Sequence, residues 1–135
     1  MLLVALSLLV SFTVRADDLT QLEGKWSLQK TNSDGQAITQ TLEIKKDTFV
    51  FQMKRGGDQA FYAKGQLKLD KAGPLHIVKF TAIQGGESAD DLDALNDDRT
   101  SIYVLDDDTW TIASNFDKDR DNEKPSLDLY TRSPK

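Results

Sequence analysis

From Gly24 onward, hydrophobic and polar residues alternate with a period of two in short runs rich in Val, Ile, Phe, Thr and Tyr, and no segment carries a long 3.6-residue stripe. The alternation predicts eight strands, over residues 24–32, 40–45, 48–54, 59–70, 75–84, 100–105, 109–116 and 126–132. Their separators, such as Asn32-Ser33-Asp34-Gly35, Arg55-Gly56-Gly57-Asp58 and Lys71-Ala72-Gly73-Pro74, suit tight reversals, so neighbours in sequence pair antiparallel. Closing such a meander removes its exposed edges, which predicts an all-β, eight-stranded antiparallel up-and-down barrel. Alternation assigns Trp26, Leu28, Leu42, Ile44, Phe49, Phe51, Met53, Phe61, Leu67, Leu69, Trp110, Ile112, Phe116, Leu127 and Leu129 to the inner face. The strands at 75–84 and 100–105 are apolar on both faces, and their orientation stays open.

Two short helical turns complete the pattern. One, at 18–23, turns Leu19 and Leu22 inward as a plug. The other falls in the longest connection, 85–99, where Ser88-Ala89-Asp90-Asp91 resembles a capping box and Leu92 and Leu95 follow at i, i+3 spacing. A helical lid over a barrel mouth and a solvated loop both fit that segment. Ahead of the barrel, residues 2–14 are apolar except for Ser7, Ser11 and Thr13, and Val14-Arg15-Ala16 suits signal-peptidase cleavage. The run is too short to span a bilayer as a helix. The expectation is a signal peptide over 1–16 and a barrel domain over 17–135, exported to the periplasm or the extracellular space, with no stable membrane insertion after cleavage.

Composition narrows the function classes. A chain of 135 residues has room for one core, and 22 acids against 17 bases give a net charge of -5, which disfavours nucleic acid and anionic membrane surfaces as partners. With no cysteine, thiol chemistry and cysteine-bound metals are excluded, and a lone His76 in an apolar strand offers no Ser-His-Asp relay. An enzyme is therefore not expected. Residues 85–123 hold 13 acids and 3 bases, which predicts a negative rim. Within and just beyond it, Asp117, Asp119, Asp121 and Asp128 follow the ligand spacing of an EF-hand loop, with Asn122 in place of the glycine and Pro125 inside the loop. Calcium at these four carboxylates and a solvated hairpin loop are the two readings; no other cofactor is indicated.

Leu22-Glu23-Gly24-Lys25-Trp26 resembles the Gly-x-Trp signature that opens the first strand of lipocalins, and Arg132 ends the last strand where lipocalins place an Arg over that Trp. The wider layout, including Ile102-Tyr103-Val104-Leu105-Asp106-Asp107-Asp108, is similar to small secreted lipocalin-like domains of planctomycete-type bacteria. The resemblance implies a barrel, export, and a contact between Trp26 and Arg132 where the first and last strands close the ring. It implies no established activity. The expected function is a non-enzymatic domain taking a small apolar or amphipathic ligand among Phe49, Phe51, Phe61, Phe80, Trp110 and Phe116. The alternative is a protein-interaction or structural module with a filled barrel and an acidic rim, and a carboxylate hydrolase is a third reading. A monomer is expected.

Overall fold

The computed structural model describes residues 14–121 and 123–133. A helix, α1 (Val14–Leu22), is followed by nine strands: β1 (Gly24–Thr31), β2 (Ala37–Lys45), β3 (Thr48–Arg55), β4 (Asp58–Ala72), β5 (Leu75–Ser88), β6 (Asp91–Ala94), β7 (Arg99–Asp106), β8 (Thr109–Ser114) and β9 (Ser126–Arg132). Eight of them, all but β6, pair antiparallel in an up-and-down ring, which closes where β1 meets β9 with Trp26 opposite Arg132 and Ser27 opposite Thr131. The signal-peptide reading falls almost wholly on residues outside those described.

The ninth strand corrects the helical reading of 85–99. A bulge between β4 and β5, with Ala82 at φ 50°, bends the far half of β5 away from β7. The freed backbone groups beyond the bulge need partners, and β6 folds back to supply them: Gln84 pairs with Ala94 and Gly86 with Leu92. A helix there would leave that edge open. Gly86 is what permits the return, because a Cβ at this position would lie 1.9 Å from the Asp91 carbonyl oxygen. The i, i+3 spacing of Leu92 and Leu95 thus belongs to a hairpin arm.

Trp26 and Trp110, both fully buried, centre a core with Leu22, Leu42, Ile44, Phe49, Leu67, Val78, Tyr103, Ile112 and Tyr130. α1 closes one end: Leu22 is fully buried and Leu19 packs beneath it. Three inward assignments are corrected. Leu127 and Leu129 point outward, 73% and 51% exposed. Paired residues on neighbouring strands share a face, and the register sets Tyr130 opposite Trp110 and Asp128 opposite Ile112, so the inner row of β9 is the other parity. Tyr130 fills the interior and donates its hydroxyl to Gln40 on β2, past the intervening β1, at 2.9 Å. Phe116 is 45% exposed, because β8 ends at Ser114 and Asn115, at φ 63°, turns the chain off the wall. The orientation left open at 75–84 and 100–105 resolves with Val78, Ser101 and Tyr103 buried inside and Ile77, Ile102 and Val104 on the outer face.

Candidate functional site

At the α1 end, the Arg132 guanidinium lies over the Trp26 indole, 4.2 Å from its centroid. Its Nη1 donates to the Glu23 carbonyl at 3.0 Å and its Nη2 to the Gln21 carbonyl at 2.6 Å, so the same group caps the end of α1 and stacks on the first strand. Gly24, at φ 123°, carries no Cβ to crowd Arg132: one added there would approach Nη1 to 3.3 Å. The indole N–H of Trp26 donates to Leu22 at 2.9 Å. On the other side of α1, Asp18 accepts the Tyr103 hydroxyl at 2.9 Å and sits 3.5 Å from His76 Nδ1. Burial, with this bond to a carboxylate added, pushes the Tyr103 phenol well above its ordinary range. Sequence reasoning passed over Asp18 and Tyr103, whose partnership spans 85 residues. The cluster holds a helix against two strands.

The opposite end gathers the acidic segments. Arg120 forks onto Asp97 with two bonds of 2.9 Å and reaches Asp117 at 2.8 Å. Arg99 forks onto Glu123 at 2.6 and 3.1 Å, and Lys118 adds a contact to Asp97 at 2.7 Å. The backbone N–H of Thr100 donates to Asp117 at 3.1 Å. These bonds staple the segment after β6 to the loop between β8 and β9, across the gap that β5 opens at its bulge. Arg120 and Lys118 hold the Asp97 carboxyl well below the usual carboxylate range, Arg120 lowers Asp117, and Arg99 lowers Glu123.

The four carboxylates chosen for calcium are not brought together. Asp117 is taken by Arg120 and Thr100, and Asp128 lies on β9, 3.6 Å from Lys30. Asp119 and Asp121 are exposed in the loop. Among the described residues, no group of three or more acidic or histidine side chains is arranged to hold a metal ion. The cation at this loop is the chain's own Arg120, legible in the sequence only as an i, i+3 partner of Asp117.

Five of the six aromatics assigned to a ligand cavity do point inward, and they pack on one another or on neighbouring rings. Phe49 meets Phe80 edge-on at 5.0 Å, Phe51 meets Phe61 at 6.2 Å, and Trp110 meets Trp26 at 5.7 Å. Phe116 stands outside the wall. At the stapled end, Gly85 leaves the room that Phe61 and Leu95 fill, since a Cβ there would come within 3.0 Å of both side chains.

The outer wall is divided by chemistry. Over β1 to β4 it is studded with charge: Lys25, Glu43, Lys54 and Lys64 face out, and a depression of about 210 Å³ on β1 to β3 is lined by Lys25, Thr39, Thr41, Glu43, Val50, Gln52 and Lys54. Over β5, β7, β8 and β9 two successive rows are apolar. Ile77, Ile102, Ala113 and Leu127 lie side by side, Val104, Thr111 and Leu129 form the next row, and Leu75 starts β5 just beyond the end of its ladder with β7. Leu75 is 47% and Val104 66% exposed. Sequence reasoning missed this face because it placed Leu127 and Leu129 inside. Comparison with family models, with curated proteins and with solved structures gives no match for this chain.

Proposed function

We propose that the protein is an exported, non-enzymatic, lipocalin-like barrel that acts through its outer wall as a protein-interaction module. The observation that carries this reading is the two-row apolar face on β5, β7, β8 and β9. Contiguous exposed apolar surface of this kind costs solubility and on soluble proteins marks a contact site. The mutual packing of Trp26, Trp110, Tyr103, Tyr130, Phe49 and Phe80 supports it from the other side, because those rings occupy the volume a ligand would need. The Trp26–Arg132 arrangement supports the lipocalin-like assignment, and the apolar leader supports export.

A second reading is favoured by one feature. Phe51 and Phe61 are half-buried at the stapled end, with Leu95 of the segment after β6 against Phe61, an apolar rim suited to a small amphipathic molecule. An apolar fluorescent probe, anilinonaphthalene sulfonate, separates the two. If the outer wall is the contact site, probe fluorescence falls in Leu127→Ser and Leu129→Ser and is unchanged in Phe61→Leu and Leu95→Ala. The reverse pattern overturns the interaction-module reading in favour of ligand uptake at the rim.

A further inference from the structure

We infer that the apolar wall is a self-association face and that its occupant is a second copy of this chain. The inference rests on the outer-wall reading above and specifies the partner. Its first support is shape. β8 runs between β7 and β9 and presents only Thr111 and Ala113 outward at this level, whereas β9 presents Leu127 and Leu129 on one side and β7 presents Ile102 and Val104 on the other. Two ridges of branched side chains therefore flank a strand-wide groove of small ones. A surface carrying both a ridge and the groove that fits it is self-complementary: under a two-fold axis the β9 ridge of each copy enters the β8 groove of the other, the geometry an isologous interface requires. Two sheet faces stacked in this way lie about 10 Å apart with their strands nearly aligned, the packing of a β-sandwich.

The second support is charge. The chain is acidic, with a net charge of -5, so two copies repel in most orientations. None of the six residues of the ridges and groove is charged; Thr100, Thr109 and Thr131 border them, with Lys79 beside Thr100 and Asp106 beside Thr109 at the outer edge. This is the wall on which like can meet like, because its centre carries no charge. Area gives the third support. The exposed parts of Leu75, Val104, Leu127 and Leu129 make an apolar centre on the order of 400 Å². A standard stable interface buries about 800 Å² per partner, so the apolar centre supplies about half and the surrounding polar rim the remainder.

Sedimentation equilibrium of the purified protein over a concentration series tests the inference. A species of twice the chain mass is expected to grow with concentration, and Leu127→Asp and Val104→Lys, one on each ridge, are each expected to raise the dissociation constant at least tenfold. Ala113→Arg, which fills the groove, should do the same, and Lys64→Glu on the charged wall should not. Unchanged circular dichroism and a cooperative thermal transition in the ridge variants, whose side chains are solvent-facing, verify that they fold. A wild-type chain that stays monomeric at every concentration overturns self-association, as does a dimer that persists in both folded ridge variants. If the probe experiment still maps to Leu127 and Leu129 in either case, only the second copy is withdrawn and the interaction module stands; if the probe maps to Phe61 and Leu95, both fall.

Discussion

Removing the Arg132 guanidinium should cost more than a surface arginine ordinarily does. Three terms are lost in Arg132→Ala. The cation–π contact at 4.2 Å contributes about 0.5–2 kcal/mol. The bonds to the Gln21 and Glu23 carbonyls are charge-assisted, but the side chain is 27% exposed, so solvent screening reduces each from the desolvated range to roughly 1 kcal/mol. The 3.6 Å pair with Asp108, whose side chain is 82% exposed, adds nothing to rely on. The sum is a loss of about 2–4 kcal/mol, a large part of the ~5–15 kcal/mol that a domain of this size has in total. Urea unfolding followed by Trp26 emission in a Trp110→Phe background measures it, and the emission should shift to the red as the aliphatic stem ceases to cover the indole. Arg132→Lys should recover less than half, because an ammonium cannot stack flat on the ring and reach two diverging carbonyls at once. A change below about 0.5 kcal/mol with unshifted emission, or a lysine variant as stable as wild type, would refute the argument that this one side chain ties ring closure to the plug.

Acid should loosen the staple before the barrel. Asp97, Asp117 and Glu123 are held below their ordinary values of 3.8 and 4.5, so their contribution is fully present above those values and is lost as pH falls below them; a urea series between neutral pH and pH 3 should show the decline, and Arg120→Gln should flatten it. Trp26→Phe should destabilise more than Trp110→Phe, by about 1 kcal/mol, since the Trp26 N–H loses its bond to Leu22 whereas the buried Trp110 Nε1 has no partner to lose among the described residues; equal losses in urea unfolding would contradict this. Millimolar calcium should leave the melting temperature unchanged, because Arg120 already neutralises Asp97 and Asp117; a rise that Asp119→Ala abolishes would reinstate a calcium loop.

The strands, the ring and the meeting of Trp26 with Arg132 were legible because each follows from local alternation plus closure. What escaped was non-local. Asp117, Asp119, Asp121 and Asp128 read as a cation site because spacing along the chain shows which carboxylates are near one another but not that Arg120 turns back to bridge Asp117 and the distant Asp97. The hairpin at 85–94 depends on β5 parting from β7 at Ala82, and the glycine that makes room for this bulge, Gly65, lies on the facing strand β4, where a Cβ would come within 2.6 Å of the Thr81 carbonyl oxygen.

Strand β9 is the sharpest case. In Ser126–Arg132 both parities carry apolar bulk, and two leucines outrank an aspartate and a tyrosine in any local measure of inwardness. Inside the ring the comparison is different, because a buried tyrosine needs a partner for its hydroxyl as well as room for its ring. Gln40 supplies that partner from β2, Asp128 is answered by Lys30 from β1, and Arg132 must fall on the same face to reach Trp26. Three residues from the opposite end of the chain, on the neighbouring strands β1 and β2, therefore settle the parity of one strand. The displaced leucines are then left on the outer wall, so the polar bonds that close the barrel also create the apolar face through which it is proposed to meet its partner.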